Sequence, residues 1–452
     1  MDISIQKAAA VLFSILIPLL LPAAGQSQII NTLDLDNKVL IVMGDSISEG
    51  VQSGNASLDT QLYTYGNFLA SHLNMPLAIP YIQSNYTGVV GSATGRNRLN
   101  ANVATNIAVS GADVNSLLNQ RNDALTAEEI NSETDMVLFP WLGSQMEVAE
   151  YITANIVPTF VLCWIGNNDV LSAVTSFDQL DASQMTTVEE FQRDFTDIVI
   201  RLHDIGSGAV LANIPDVTSI AFLLDNEELT KIFGINFNLP EGSYTTIAAA
   251  MVVKLGLFDN SIFQDPNYIL DENEIAAIRE RTAVFNTYIA EMGVEAGFPV
   301  VDINSKFNEL ALNPPVVADI QLSSGWLGGL FSLDGVHPSN TGHILITTEF
   351  INTINNFYGT AIPQIAPEVI DIVVLSDPHV DKDGDGRVTG RFGTGLLETM
   401  GPFLGLSGDL DDFNAEVAGA ASDNAGAVSY TLPAAGNKAE AARFVKEILG
   451  VR

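Results

Sequence analysis

Largely apolar runs alternate with amphipathic segments along this chain, and that alternation constrains its fold more than any other feature. The apolar runs are predicted to be strands and lie at residues 38–43, 159–165, 208–213 and 298–302. Strands without a polar face are typical of parallel sheets that are covered on both sides. Helices are predicted at residues 62–73, 114–125, 144–154, 188–205, 272–296 and 339–358. The sequence therefore predicts an α/β fold, with a parallel sheet between two layers of helices.

Two segments interrupt this alternation. Residues 217–270 form an unusually apolar insertion, and residues 361–452 form a C-terminal extension with a strand-like run at 370–375 and a terminal helix at 438–449. A chain of 452 residues exceeds what one hydrophobic core usually supports. We therefore expect one large domain over residues 26–360, which includes the insertion, followed by the smaller extension.

Residues 1–25 have the pattern of an export signal. Lys7 places a positive charge before an apolar run at residues 8–21, and small residues at 22–25 precede a cleavage point near Gln26. The alternative is an uncleaved membrane anchor, but the apolar run is short for a membrane span. We therefore expect an exported protein, periplasmic, at the cell surface or secreted, without a stable transmembrane anchor.

The charge balance excludes one class of partner. The chain has 19 Lys and Arg residues against 54 Asp and Glu residues, which gives a formal net charge of −35. A field of this sign repels nucleic acid and anionic lipid headgroups. We therefore expect no nucleic acid among the partners of this protein.

Several reactive side chains are expected to be structural. Cys163, the single cysteine, lies in a predicted strand and is expected in the core, and one cysteine cannot form an internal disulfide. His72 and His203 lie on predicted helices away from any serine motif, and His343 is expected to cap or pack against a helix. His379 belongs to the extension.

Two polar clusters supply the residue types of nucleophilic catalysis. Ser46 follows Gly44 and Asp45 where the first predicted strand turns into a helix, whose N-terminus favours negative charge on the serine oxygen. Much later, Asp334 precedes His337 by three residues, so the carboxylate can bond one ring nitrogen and leave the other to accept a serine proton. Either pattern alone also occurs in ordinary turns.

Two further clusters at strand ends could bind an oxyanion. Gly111 lets the backbone approach a ligand closely and offers its N–H, and Asn168 offers an amide side chain. Each cluster alone is equally typical of a loop or a helix cap. Asp45 and Asp169 are expected to hold these loops rather than to transfer protons.

Taken in chain order, the four clusters resemble the sequence blocks of the SGNH hydrolase family, the GDSL-type esterases and lipases. The matching positions are Gly44–Asp45–Ser46, Gly111, Gly166–Asn168 and Asp334–His337, within a resemblance that extends over residues 39–358. Residues 213–216 are similar to a Pro-containing block often found in this family. Four blocks in the family's order, each at its predicted element, make the resemblance specific.

The resemblance implies a flavodoxin-like α/β/α sandwich (the SGNH hydrolase fold) and a serine ester hydrolase that forms an acyl-enzyme. In this family Ser46 would be the nucleophile, His337 the proton acceptor and donor, and Asp334 the residue that orients the imidazole. The N–H groups of Ser46 and Gly111 and the side chain of Asn168 would form the oxyanion hole. Catalysis of this kind needs no metal or organic cofactor.

The apolar insertion at residues 217–270 gives an indication of the substrate class. If its apolar residues cover Ser46, they would accommodate an acyl chain and favour lipid or fatty-acyl esters, whereas the alternative is that they only pack against the sheet. A rival activity within the family is O-deacetylation of a polysaccharide, for which aromatic subsites are typical, and the chain has three Trp residues. The expected partner is thus an ester, with the acyl or lipid ester preferred.

The extension contains an Asp-rich loop. Asp381, Asp383 and Asp385, followed by Gly386, resemble the start of a calcium-binding loop, but the twelfth position is Phe392 instead of a bidentate Glu. The alternative is an acidic solvated turn. A calcium ion here would be structural. The loop also leaves open a third interpretation, that the protein is a non-catalytic, calcium-dependent surface binding protein.

Overall fold

The strands of the computed structural model fall into one central sheet and three small two-stranded sheets. The model describes residue 35 and residues 38–84, 96–99, 103–176, 179–254, 256–384 and 388–389. Within that part of the chain the strands are β1 (Val39–Gly44), β2 (Ile82–Ser84), β3 (Arg96–Arg98), β4 (Thr159–Trp164), β5 (Gly208–Ala212), β6 (Leu223–Leu224), β7 (Thr245–Thr246), β8 (Val300–Val301), β9 (Val316–Val317) and β10 (Ile320–Gln321).

The central sheet is parallel, in the order β1-β4-β5-β8. On the free side of β1 the chain around Asn106 pairs in parallel with Val42, and Val109 N donates to the Gly44 carbonyl at 3.1 Å. With this edge segment included, the order is that of the flavodoxin-like fold, 2-1-3-4-5. The predicted α/β fold with a parallel sheet is therefore confirmed.

Helices cover both faces of this sheet. Their bounds are α1 (Ser46–Glu49), α2 (Leu58–Gln61), α3 (Tyr65–Leu73), α4 (Val114–Asn119), α5 (Glu133–Leu138), α6 (Gln145–Asn155), α7 (Asn168–Thr175), α8 (Val188–Asp204), α9 (Asn226–Phe233), α10 (Ile247–Lys254), α11 (Glu272–Ala296), α12 (Ile303–Leu312), α13 (Asn340–Tyr358) and α14 (Pro367–Ser376). No helix in the described ranges is long and apolar enough to cross a membrane.

The side chains of β1 alternate between two hydrophobic cores. Ile41 and Met43 belong to the core that α4, α6, α8 and α11 cover, and in it the rings of Phe191 (α8) and Phe285 (α11) stack with centroids 4.0 Å apart. Leu40 and Val42 point into the opposite core, which α3 and α13 cover. Because successive side chains of a strand point to opposite faces, an entirely apolar strand has to be covered on both sides.

Most predicted helices are present, and α11 has the predicted bounds. The helix predicted at residues 114–125 ends at Asn119, because the following chain pairs with residues near Gly143 through Asn122. The stretch 83–102, predicted to be a loop, includes the antiparallel strands β2 and β3 in its described part.

The strand-like run at residues 370–375 is a helix, α14, so that prediction was wrong. Short apolar runs do not distinguish a strand from a buried helix. Pro367 occupies the first turn, where its fixed φ favours a helix, and Val373 and Val374 are buried while Ile372 stays exposed. The helix predicted at residues 438–449 lies outside the described residues.

The insertion at residues 217–270 folds onto the main core. It contains α9, α10 and the antiparallel pair β6–β7. Its apolar side chains, among them Phe222, Phe237 and Phe263, are buried and belong to the core beneath α8 and α11. The apolar composition of this segment is therefore accounted for largely by packing.

Candidate active site

The end of β1 places Ser46 at the start of helix α1. The Asp45 side chain caps this helix by accepting from Ile47 N at 3.0 Å, and Ser46 is 8% exposed. Gly44 has φ +150°, and a Cβ there would lie 2.2 Å from the Trp164 carbonyl oxygen. Only glycine therefore lets β1 and β4 end so close together directly before the serine.

Ser46, His337 and Asp334 form one hydrogen-bonded chain. The Ser46 hydroxyl lies 2.8 Å from His337 Nε2, although the two residues are 291 positions apart, and His337 Nδ1 lies 2.8 Å from Asp334 Oδ2. A carboxylate accepts only, so His337 donates through Nδ1–H and its Nε2 accepts the serine proton. The structure thus brings the three predicted catalytic residues together.

The Asp334 carboxylate is held ionised. Burial alone would raise its pKa, but the neighbouring His337 charge and hydrogen bonds from His337 and Val336 outweigh burial and lower the pKa from 3.8 to about 2. Asp334 Oδ1 accepts from Val336 N at 2.9 Å and from His337 N at 2.8 Å, and Oδ2 accepts from Gly54 N at 2.7 Å. Near neutral pH the group therefore carries a full charge toward the imidazole.

The three groups predicted for an oxyanion hole follow β1, the edge segment and β4. Gly111 has φ +78°, and the Asn168 amide donates to the neighbouring Ala112 carbonyl at 2.8 Å, which ties the two loops together. In the described part of the chain, neither the Ser46 N–H nor the Gly111 N–H has a hydrogen-bond acceptor. Both N–H groups are thus available to a ligand.

Asp45 and Asp169 hold these loops, as expected. Asp45 Oδ2 accepts from the Asn167 amide at 2.8 Å, and Asp169 Oδ2 accepts from Val114 N at 3.1 Å. Burial raises the pKa of Asp45 to about 6 and that of Asp169 to about 7. Burial is the largest cause for both groups, and it outweighs the hydrogen bonds from neutral donors and, at Asp45, the charge of His337.

Sequence reasoning missed Glu49. Its side chain is 1% exposed and accepts from Ser110 N at 2.7 Å and from the Ser110 hydroxyl, next to Gly111. It therefore holds the loop that carries the Gly111 N–H. No signal in the sequence indicates this, because a single acidic residue in a short helix is ordinarily solvated.

An apolar cavity of about 90 Å³ is lined in part by residues that are next in sequence to the serine and the histidine. Ile47, which follows Ser46, and Val336 and Pro338, which flank His337, form part of its wall. Phe307 from α12 and Leu345 from α13 line it as well. A larger groove of about 880 Å³ between α11 and α12 is lined by amide side chains such as Asn286, and those amides bond the backbone of Ile214.

The Asp-rich loop lies partly outside the described residues, since Asp385 is not among them. Asp381 Oδ1 accepts from Gly384 N at 2.9 Å, and Gly384 has φ +74°. Within the described ranges, no group of three or more His, Cys, Asp or Glu side chains could hold a metal ion.

Comparison with known proteins identifies a family. The sequence model of the GDSL-like lipase/acylhydrolase family matches residues 40–350. No curated protein matches the chain significantly. Among solved structures, the α/β hydrolase LAE5 from the metagenome of Lake Arreo, Spain, is 16% identical, over 70% of this chain and 94% of that one, with a TM-score of 0.35. The acetylxylan esterase Axe2 from Geobacillus stearothermophilus is 16% identical, over 73% and 97%, with a TM-score of 0.35.

Proposed function

This chain belongs to the family of GDSL-like lipases and acylhydrolases and is a carboxylic ester hydrolase, and on that premise we propose that Ser46 is its nucleophile. The hydrogen-bonded chain from Asp334 through His337 to Ser46 carries the proposal. A serine hydroxyl is a weak nucleophile unless a base removes its proton, and His337 Nε2 is within hydrogen-bond distance to do so.

The reaction takes place in two steps. Ser46 Oγ attacks the ester carbonyl while its proton passes to His337 Nε2, and the imidazolium then protonates the leaving alcohol. Water attacks the acyl-enzyme with His337 again as base, which releases the carboxylic acid and returns the proton to Ser46. Asp334 stays ionised throughout, because its pKa of about 2 lies far below neutral pH.

Negative charge that develops on the carbonyl oxygen is bound by three donors. These are the free N–H groups of Ser46 and Gly111 and the amide of Asn168, each beyond a strand end. One such donor contributes about 2.7–4 kcal/mol to transition-state stabilisation. The Asp45 and Glu49 carboxylates keep these donors in place and take no part in proton transfer.

The substrate class that we propose is a lipid or fatty-acyl ester. The support is the apolar cavity, whose wall includes the sequence neighbours of Ser46 and His337. We propose that the chain attached to the carbonyl carbon enters this cavity. The insertion contributes Ile220 to this wall, whereas most of its apolar side chains pack in the core. Each methylene of the acyl chain buried in the cavity would contribute about 0.8 kcal/mol.

Turnover of p-nitrophenyl esters from acetyl to palmitoyl tests the activity and the substrate class. Ser46→Ala should abolish turnover, whereas Ser48→Ala, the other serine of the same motif, should retain it. Leu345→Trp should fill the cavity and lower kcat/KM for long chains while acetyl turnover persists, and Leu312→Trp at the exposed end of α12 is its matched control. A preference for acetyl esters that Leu345→Trp leaves unchanged would favour a deacetylase.

We also propose that the protein is exported after cleavage near Gln26. The support is the charge, the apolar run and the small residues of the first 25 positions. N-terminal sequencing of protein collected outside the cytoplasm should begin near Gln26, and Leu16→Arg should keep the chain inside. A mature protein that starts at Met1 would contradict this proposal.

Catalysis by these side chains requires no cofactor, and the Asp-rich loop is proposed to bind calcium for stability alone. A chelator should therefore leave kcat unchanged and lower the melting temperature. An unchanged melting temperature would indicate an acidic turn in place of a calcium site.

A further inference from the structure

A second chain of Ser, His and Asp side chains lies buried behind the active site. Asp377 Oδ1 lies 3.3 Å from His379 Nδ1, and His379 Nε2 lies 3.2 Å from Ser53 Oγ. All three residues are at most 1% exposed. Because the carboxylate accepts from Nδ1–H, Nε2 of the neutral ring accepts the hydrogen of the Ser53 hydroxyl.

The hydrogen-bonded series Asp377–His379–Ser53 is not a second catalytic centre, because Ser53 is buried and an ester cannot reach it. The Ser53 side chain is instead built into the contact with the loop that carries the catalytic acid. Its oxygen accepts from Leu333 N at 3.3 Å, and Ser53 N donates to the Ser332 hydroxyl at 2.8 Å. Leu333 directly precedes Asp334.

The residue after Ser53 contacts the catalytic carboxylate itself. Gly54 N donates to Asp334 Oδ2 at 2.7 Å, and the same oxygen lies 2.8 Å from His337 Nδ1. Ser53 has φ +52°, a left-handed conformation that costs a non-glycine residue about 1–2 kcal/mol. The bonds to Ser53 from both sides stabilise this conformation and hence the direction of the Gly54 N–H.

Asp377 also holds the C-terminal end of the loop that carries Asp334 and His337. Its Oδ2 accepts from Thr341 N at 2.7 Å, in the first turn of α13 and four residues after His337. Burial would raise the pKa of Asp377, but hydrogen bonds from His379 and Thr341 outweigh it and lower the pKa. Residues 377–379 lie beyond residues 40–350, which match the family.

We propose that His379, oriented by Asp377, is a positioning residue for the ester hydrolysis described above. Through the Ser53 hydroxyl it fixes the turn whose Gly54 N–H holds the Asp334 carboxylate against His337. The extension thus completes the support of an active site whose reacting residues all lie in the preceding domain. The inference rests on the proposed function, since it concerns the base that activates Ser46.

The test compares His379→Ala and Ser53→Ala with Val374→Ala. Val374 is fully buried in α14 of the same segment, and its only bond to the cluster is a backbone one, in which its carbonyl accepts from Asp377 N at 3.3 Å and which alanine keeps. We expect His379→Ala to lower kcat about 10- to 100-fold at similar KM, because misplacement of about 1 Å is enough for such a loss. Val374→Ala should lower the melting temperature and leave kcat unchanged.

Two further variants separate positioning from general destabilisation. His379→Gln, whose Oε1 can accept the Ser53 hydroxyl, should recover most of kcat, and Ser53→Ala carries the test if His379→Ala does not fold. The double variant Ser53→Ala/His379→Ala should lose no more activity than Ser53→Ala alone, because both substitutions remove the same hydrogen bond and Ser53→Ala also removes the acceptor of Leu333 N.

The rate at which a fluorophosphonate labels Ser46 gives a readout that does not depend on the natural substrate. If the wild type neither labels nor turns over any ester, the proposed function fails. If the wild type labels normally and His379→Ala labels at the same rate, or Ser53→Ala does so where His379→Ala does not fold, the positioning role is overturned while the proposed function stands.

Discussion

The active site has a nucleophile side, formed by Ser46, Gly111 and Asn168, and an acid–base side, formed by Asp334 and His337. Each residue of the nucleophile side follows a chain segment of the central sheet. The residues of the acid–base side lie on a loop before α13, and other loops hold that loop: Phe222 N donates to the Gly335 carbonyl at 2.9 Å, and Gly54 N donates to Asp334 at 2.7 Å.

The two sides also differ in charge. On the nucleophile side, the buried Asp45 and Asp169 have neutral partners, and their pKa values rise to about 6 and about 7. On the acid–base side, Asp334 and Asp377 face imidazoles and their pKa values fall. One side therefore has carboxyl groups whose pKa values are raised by burial, and the other has carboxylates whose pKa values are lowered by their partners and whose geometry depends on distant segments.

The largest effect is expected from Asp334→Asn. The amide presents no full charge to His337 and favours the wrong tautomer of the ring, so kcat should fall about 10⁴-fold. Asp302→Asn, a helix cap of α12 outside the site, is the matched control and should keep wild-type kcat. A loss of less than tenfold for Asp334→Asn, measured on the best p-nitrophenyl ester, would remove Asp334 from the relay.

The nucleophile side is tested by Asn168→Ala. Loss of one oxyanion donor should lower kcat about 10²–10³-fold with little change in KM, because the donor acts on charge that develops in the transition state. Asn115→Ala removes a nearby amide that bonds Asp194 at 2.9 Å and should leave kcat unchanged. Equal, small losses of kcat in both variants would indicate that the backbone N–H groups alone bind the oxyanion.

The nucleophile side and the supports of the acid–base side differ in how far they could be predicted from the sequence. Ser46, Gly111 and Asn168 each follow a segment that the parallel sheet aligns, so local patterns marked them as candidates and the family resemblance assigned their roles. Ser53 and His379 are 326 positions apart and meet through loops that have no periodicity, and nothing in their sequence marks the contact. The run at 370–375 was wrongly predicted as a strand for a different reason, since a short apolar run fits a strand and a buried helix equally well.

Gly335→Ala tests whether the insertion supports the acid–base side. Gly335 has φ +69°, and a Cβ there would lie 2.7 Å from Phe222 N. The left-handed backbone should cost about 1–2 kcal/mol of unfolding free energy, and the overlap about 1–3 kcal/mol more. Because the shift occurs next to Asp334, kcat should also fall, by roughly tenfold.

Gly359→Ala is the matched control for this substitution. Gly359 has φ +66° at the end of α13, but no atom lies within 4 Å of an added Cβ. It should lose only the about 1–2 kcal/mol of the backbone term and keep its kcat. If denaturant unfolding gives equal losses at both glycines and kcat stays constant, the insertion does not support the acid–base side.

The smallest effect is expected from Asp45→Asn and appears as a change in how stability depends on pH. The folded-state pKa of Asp45 is raised from 3.8 to about 6, so between these values the folded chain keeps a proton that the unfolded chain releases. The free energy of unfolding therefore falls by about 1.4 kcal/mol for each pH unit by which the pH rises over that range. Asp334 acts in the opposite sense, since its contribution is present above about pH 4 and is lost as pH falls toward 2.

Asn at position 45 cannot ionise, so unfolding measured from pH 4 to 7 should show a flatter decline than in the wild type. The cap to Ile47 N can persist, and Asn167 Oδ1, which is buried without a partner among the described residues, can accept from the new amide. Since Asp45 transfers no proton, kcat should change little. A pH dependence equal to that of the wild type would mean that the fold does not raise the pKa of Asp45, and the contrast between the two sides would then not hold at this residue.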